Sequence, residues 1–172
     1  MNAKHQPNTI VVGVDGSEAS RAAFHRAIEE AVWRNANVRA VHVYEVPALT
    51  GFEMLAIDAN SYREQADKWL TEELQYLSRS YEADFPVEVT GEISTGHLGV
   101  NLIRAAQNAT MLVLGTRGLG GFRGLLLGSV TTYCVHHLPC PLLVVPDPTN
   151  TPEAIDDDTH PAADTHVVGA DE

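Results

Sequence analysis

The residues best suited to chemistry lie in one stretch, Gly115-Thr-Arg-Gly118-Leu-Gly-Gly-Phe-Arg-Gly124-Leu-Leu-Leu-Gly128-Ser129-Val130. Five of the 13 glycines fall between Gly115 and Gly124, and Gly128 is a sixth. Glycine permits positive φ and lets a backbone come close to a ligand. The apolar run from Thr110 to Gly115 predicts a buried strand just before the stretch, and Gly128-Ser129 opens a predicted helix to about His137. A helix N-terminus offers free N–H groups and the positive end of the helix dipole, which suits a phosphate. Ser129 adds a hydroxyl donor. The stretch therefore reads as an anion cradle; the alternative is a connection whose glycines only make turns. Leu125, Leu126 and Leu127 anchor it to the core on either reading. No Gly-Lys pair occurs, which excludes a Walker A loop. Gly13-Val-Asp15-Gly16 does not fit the dinucleotide fingerprint, and Asp15-Gly16-Ser17 lacks the paired glycines of adenylating PP-loop enzymes.

The elements that must position this loop can be read along the chain. Residues 9–15 form a short continuous apolar run rich in β-branched residues, the mark of a strand buried on both faces. Ser17 is suited to cap a helix to about Asn35, with Phe24, Ala27, Ile28, Ala31 and Val32 on its apolar stripe. A second strand spans about 37–45, and residues 46–60 read as a loop. Ser61-Tyr-Arg-Glu64 is a capping-box pattern that predicts a helix from there to about Tyr81. A third strand is expected at 87–92, a short helix at 96–108 stopping at Asn108, and a fifth strand at Leu142–Val145 after Pro139 and Pro141. Alternating strands and helices predict an α/β fold, a single doubly wound parallel sheet of five strands with helices on both faces. Ligands of such sheets bind beyond the carboxyl ends of the strands, where the strand order reverses. The ends of the first and fourth strands flank that point if these strands are neighbours.

Length and charge narrow the function classes. The 172 residues suit one domain, expected over 1–146, and the net charge of −12 divides unevenly. Residues 147–172 hold 8 acids and no Lys or Arg, whereas the rest carries only −4. That segment lacks apolar periodicity and reads as an acidic disordered tail. Neither part has the basic face that nucleic acid requires. Two cysteines are too few for a disulfide framework. No apolar run reaches the roughly 20 residues of a membrane span. Residues Met1 to Thr9 lack the apolar stretch of a secretory signal, so a cytoplasmic location without membrane association is expected.

At these residues the chain resembles the universal stress proteins. Their ATP-binding members share Gly, two residues, Gly, nine residues, then Gly-Ser or Gly-Thr, filled here by Gly115, Gly118 and Gly128-Ser129. The strand ending Val-Gly-Val-Asp15-Gly-Ser17, the strand ending Val-His42-Val43, and the run from His137 through Pro139-Cys140-Pro141 look like the family too. The likeness covers about residues 8–146. It implies a sheet in the order 3-2-1-4-5 and a homodimer formed through the last strand. It also implies an adenine nucleotide, ATP, arriving with Mg²⁺, which prefers phosphate oxygens and few protein ligands. By position, the Val43 backbone would meet the adenine edge, Gly13 would line the pocket, and Asp15 would lie near the ribose or a phosphate-bound metal. Gly115 would meet the ribose; Gly118, Gly128, Ser129 and Val130 would hold phosphates; Thr116, Arg117, Leu119, Gly120 and Gly121 complete the loop.

Other constellations are weaker. Asp15 reads as a ribose or metal contact from its place at the switch point, with a turn aspartate that helps cap the following helix as the alternative. Arg117 and Arg123 are either phosphate partners or solvated. Cys134, His136, His137 and Cys140 do not form the clean pairs of a zinc motif, and a His near a helix C-terminus is explained by the dipole. His42, Tyr44 and Glu45 follow the alternation of a strand, and no nucleophile–base pair is visible. The reading is an ATP-binding regulatory protein of the stress response with an unknown protein partner and little or no catalysis. The alternatives are a slow ATPase or phosphoryl or adenylyl transferase using the same pocket, and a dimeric interaction module that holds no nucleotide.

Overall fold

The computed structural model describes residues 8–46, 59–82, 84–119 and 127–149. Its elements are β1 (Thr9–Gly13), α1 (Glu18–Arg34), β2 (Asn37–Tyr44), α2 (Ala59–Ser78), β3 (Val89–Thr95), α3 (Leu98–Ala105), β4 (Met111–Gly115), α4 (Ser129–His137) and β5 (Leu142–Val145). The five strands form one parallel sheet in the order β3-β2-β1-β4-β5. The order reverses between β1 and its two neighbours, so the switch point lies between the carboxyl ends of β1 and β4.

Strand alternation divides the core in two. Ile10 and Val12 of β1 join Phe24, Ile28 and Leu77 in a layer against α1 and α2. Val11 joins Val41, Leu102 and Leu112 in a layer against α3 and α4. Residues 10–12 are fully buried because both faces of β1 are covered, which is why the strand is continuously apolar. At the start of α1, Ser17 Oγ accepts from Ser20 N at 3.1 Å, and Asn35 ends the helix in the left-handed region with φ 49°.

Several boundaries differ from expectation. The second helix begins at Ala59, so the Ser61–Glu64 capping box lies inside it. A buried stripe of Ala66, Leu70 and Leu77 holds this helix, and packing rather than a local cap decides its extent. The third strand runs Val89–Thr95 instead of 87–92, because its bounds follow the register with β2 from Val38↔Val89 to Tyr44↔Thr95. The third helix also ends early, at Ala105, and Asn108 takes a positive φ of 66° in the turn that follows. Residues 47–58 of the expected loop lie outside the described residues. No helix among the described residues is long and apolar enough to cross a membrane.

Candidate functional site

A cavity of about 540 Å³ opens at the switch point. Its floor comes from Gly13, Val14 and Asp15 after β1, and from Leu114 and Gly115 of β4. Val41, His42 and Val43 form one wall, Leu98 and Leu102 of α3 another. Arg117 to Leu119 and Leu127 to Thr131 close the side facing α4. Two ends of different chemistry result. Val43, Leu98, Leu102 and Leu114 make an apolar end, while the loop after β4 and the first turn of α4 make a polar one.

The polar end is built from backbone. Gly128 caps α4 in extended conformation and makes no side-chain capping bond. The first-turn amides at Ser129 and Val130 therefore keep the unpartnered character of a helix N-terminus. Thr131 Oγ1 donates to Gly115 O at 2.9 Å and pins that turn to the end of β4. The Gly128 amide is already spent on Thr116 O at 2.7 Å. Thr116 N in turn donates to Val145 O at 2.8 Å, so Thr116 ties β4, β5 and α4 together and is not part of the cavity wall.

Asp15 acts as a clasp. Its Oδ1 accepts from Ser17 N at 3.0 Å and Ser17 Oγ at 2.7 Å, and its Oδ2 accepts from Leu119 N at 3.1 Å. Both oxygens are engaged, which matches the turn-capping reading and adds a bond across the switch point. A Cβ on Gly118 would stand 2.2 Å from Asp15 Oδ2. One on Gly115 would stand 2.7 Å from the Ala19 backbone, so this glycine lets α1 press against the end of β4. One on Gly13 would meet Leu114 Cδ2 at 2.7 Å.

At the apolar end, Val14 N donates to Val41 O at 3.0 Å, the last backbone–backbone bond of the first strand's end with β2 among the described residues. Val43 is two residues further along β2, so its N–H and C=O face the same edge, beyond the register that β1 supplies.

A family model described as the universal stress protein family matches residues 7–146. The chain belongs to that family. Universal stress protein Rv1996 of Mycobacterium tuberculosis is 30% identical over 171 residues, covering 90% of this chain and 54% of its own length. Rv2623 of the same organism is 32% identical over 125 residues, covering 73% of this chain and 40% of its own. The chain thus spans about half the length of the curated relatives it matches. Among solved structures, universal stress protein UspA from Lactobacillus plantarum superposes with a TM-score of 0.67 at 24% identity, covering 83% of this chain and 99% of that one. A universal stress protein from Archaeoglobus fulgidus, solved in complex with dAMP, superposes at 0.56 with 19% identity, covering 80% and 97%.

In this universal stress protein the cavity wall brings together Gly13, Asp15, Val43, Gly115, Arg117, Gly118, Leu119, Gly128, Ser129 and Val130. Gly120, Gly121 and Arg123 lie outside the described residues. Three wall residues carry no motif. Ser20 is buried, and its Oγ donates to Ser17 O at 3.0 Å. Leu98 and Leu102 share a face of α3 at helical spacing. His42 follows the strand alternation, yet reaches the cavity. Its Nδ1 lies 3.0 Å from Val14 O, an acceptor, so that nitrogen carries the proton, and its ring lies tilted against Trp69 of α2, the centroids 4.2 Å apart. The two cysteines are free; burial pushes the Cys134 thiol up to about 11, which leaves it protonated and unreactive at neutral pH. Among the described residues no group of three or more His, Cys, Asp or Glu is placed to hold a metal ion.

Proposed function

We propose that this universal stress protein binds an adenine nucleotide, ATP, in the switch-point cavity and acts as a regulatory binding protein rather than an enzyme. The observation that carries the reading is the helix α4, whose side-chain-free cap opens its first turn into a cavity that is apolar at the other end. Such a site has a place for a base and a place for phosphates. The unpaired edge of Val43 offers a donor and an acceptor to an adenine edge; Gly118, Ser129 and Val130 offer the phosphate cradle, and Gly128, whose amide is held by Thr116 O, leaves the backbone open to close approach. Two structural relatives are titled as complexes with cAMP and with dAMP, which supports an adenine ligand.

Among the described residues Asp15 is the one carboxylate of the cavity wall, and its oxygens hold Ser17 and Leu119. A carboxylate so engaged is poorly disposed to take a proton from water, which favours binding over hydrolysis. Mg²⁺ would be held mainly by the phosphates, with Asp15 nearby. The sheet order leaves β5 at an edge, and its residues Leu142, Leu143, Val144 and Val145 are all only half-buried. An apolar edge strand favours pairing with a second copy, and a homodimer through β5 follows. The test is to denature the purified protein, identify any released nucleotide by chromatography, and titrate ATP with Mg²⁺ while following phosphate release. Binding with negligible turnover is expected. Steady multiple turnover would point to an ATPase, and no heat of binding would overturn the proposal.

A further inference from the structure

We propose that the acidic segment 147–172 is an intramolecular ligand of the polar end of the cavity, drawn there by Arg117 and competing with the phosphates of a nucleotide. The competition rests on the nucleotide reading above; the contact does not. Gly115 and Val145 are register partners on β4 and β5. The Thr116 N to Val145 O bond of 2.8 Å continues the pairing. Two residues beyond that pair, one strand places Arg117 and the other places Asp147. Arg117 lines the cavity and forms no ion pair among the described residues. Asp147 is the first of the 8 acids in a segment without Lys or Arg. Its carboxyl is held below the usual range by bonds from the Thr149 hydroxyl and amide, and further by the Arg117 charge, so it stays ionised.

The rest of the chain carries −4, so nothing general draws the segment inward. The attraction is local, to the Arg117 guanidinium and the positive end of α4 beside it. The acidic run Asp156–Asp158 begins nine residues after Asp147. A chain of that length reaches up to about 30 Å, more than enough to return to the cavity mouth. A short tether also holds its end at an effective concentration on the order of millimolar, so weak individual contacts suffice.

Four proteins decide the matter: the full chain, the full chain with the seven acids beyond Thr149 changed to amides, the full chain carrying Arg117→Gln, and the neutralised chain carrying Arg117→Gln. ATP, AMP and adenosine are titrated at about 0.05 M and 0.5 M salt. Neutralisation is expected to tighten ATP about fivefold at low salt, AMP less, and adenosine not at all, because it frees a site partly occupied by the segment. The gain should disappear at high salt, where screening acts over about 3–5 Å, and should fall below about twofold with Arg117→Gln. Equal ATP affinity, or a gain that persists at high salt or extends to adenosine, overturns the competition. The backbone amide resonances of Leu119 and Ser129, compared between full and neutralised chains without nucleotide, read the contact itself. A salt-sensitive shift there with no ATP binding in any protein would remove the nucleotide reading and keep the contact. ATP binding in every protein with unmoved amides would do the reverse.

Discussion

Asp15 Oδ2 accepts the backbone N–H of Leu119 at 3.1 Å, joining positions 104 residues apart across the point where the sheet reverses its order. The same carboxylate holds Ser17 through its other oxygen, and Ser17 is the cap of α1. One side chain thus sets the start of a helix and the position of Leu119 in the loop after β4 together. The loop is aimed at the cavity by the turn that follows β1.

That clasp explains why Gly118 is a glycine. Its φ is not in the left-handed region, where among the described glycines only Gly16 and Gly96 fall, so backbone conformation does not demand it. Space does: a methyl group would stand 2.2 Å from Asp15 Oδ2, and Ser17 holds the same carboxylate through Oδ1, so it cannot swing away freely. Gly118→Ala should open the clasp and displace the loop. Combined with Ser129→Ala, which removes the hydroxyl at the α4 N-terminus, it should abolish ATP binding in calorimetry while circular dichroism shows a folded protein. Unchanged affinity would remove the phosphate role of this loop.

Gly115→Ala should act on stability instead. Its Cβ would lie 2.7 Å from the Ala19 carbonyl carbon and 2.9 Å from its oxygen, both backbone atoms of α1. Backbone cannot rotate out of the way, so the helix must lift from the sheet. Overpacking of this kind costs about 1–3 kcal/mol. Urea unfolding should show a lower midpoint with an unchanged slope; an unchanged midpoint would mean that α1 is not pressed against β4.

The pH response should carry a signature of His25. Burial pushes its pKa below the ordinary 6.5, opposed only by Glu29, and its Nδ1 lies 2.9 Å from Tyr81 Oη. The unfolded chain therefore binds a proton at His25 at a pH where the folded chain does not. Stability contributed by this residue is complete above pH 6.5 and falls as the pH drops through that value. The loss of urea midpoint between about pH 8 and pH 5.5 should be smaller in His25→Gln than in the parent. Equal losses would assign the pH response to other groups.

Which features were legible in the sequence depends on how local their causes are. Strand β5 and helix α4 have the expected bounds, because two prolines and a Gly-Ser pair punctuate them within a few residues. Ser17 caps α1 as expected, for the same reason. The start of α2 and the bounds of β3 were misjudged, since each is decided by what the element packs on or pairs with. The strand order came through the family resemblance, not from periodicity. Within the site, glycines announced the loop, but the bond between Asp15 and Leu119 has no local signature. The family pattern counts Thr116 in the loop; its backbone groups bond to β5 and to the cap of α4, ties that no local pattern announces. His42 was set aside as strand alternation; the alternation is real, but the strand ends at the cavity.

The segment beyond Pro146 should be removable without loss of fold. Every described strand and helix ends by Val145, and the last pairing is the bond from Thr116 N to Val145 O. Asp147 bonds only to Thr149 among the hydrogen bonds of the described residues, through contacts that belong to its own turn. Neither core layer includes a residue beyond Val145. Truncation after Pro146 should therefore leave the melting temperature within about 2 °C of the parent, a change of no more than about 1 kcal/mol. The melt belongs at about 0.5 M salt, where the charge contact proposed for Arg117 is screened and only packing remains. A drop of more than about 5 °C there would mean that the segment packs on the body by apolar contact. The domain would then extend past residue 146.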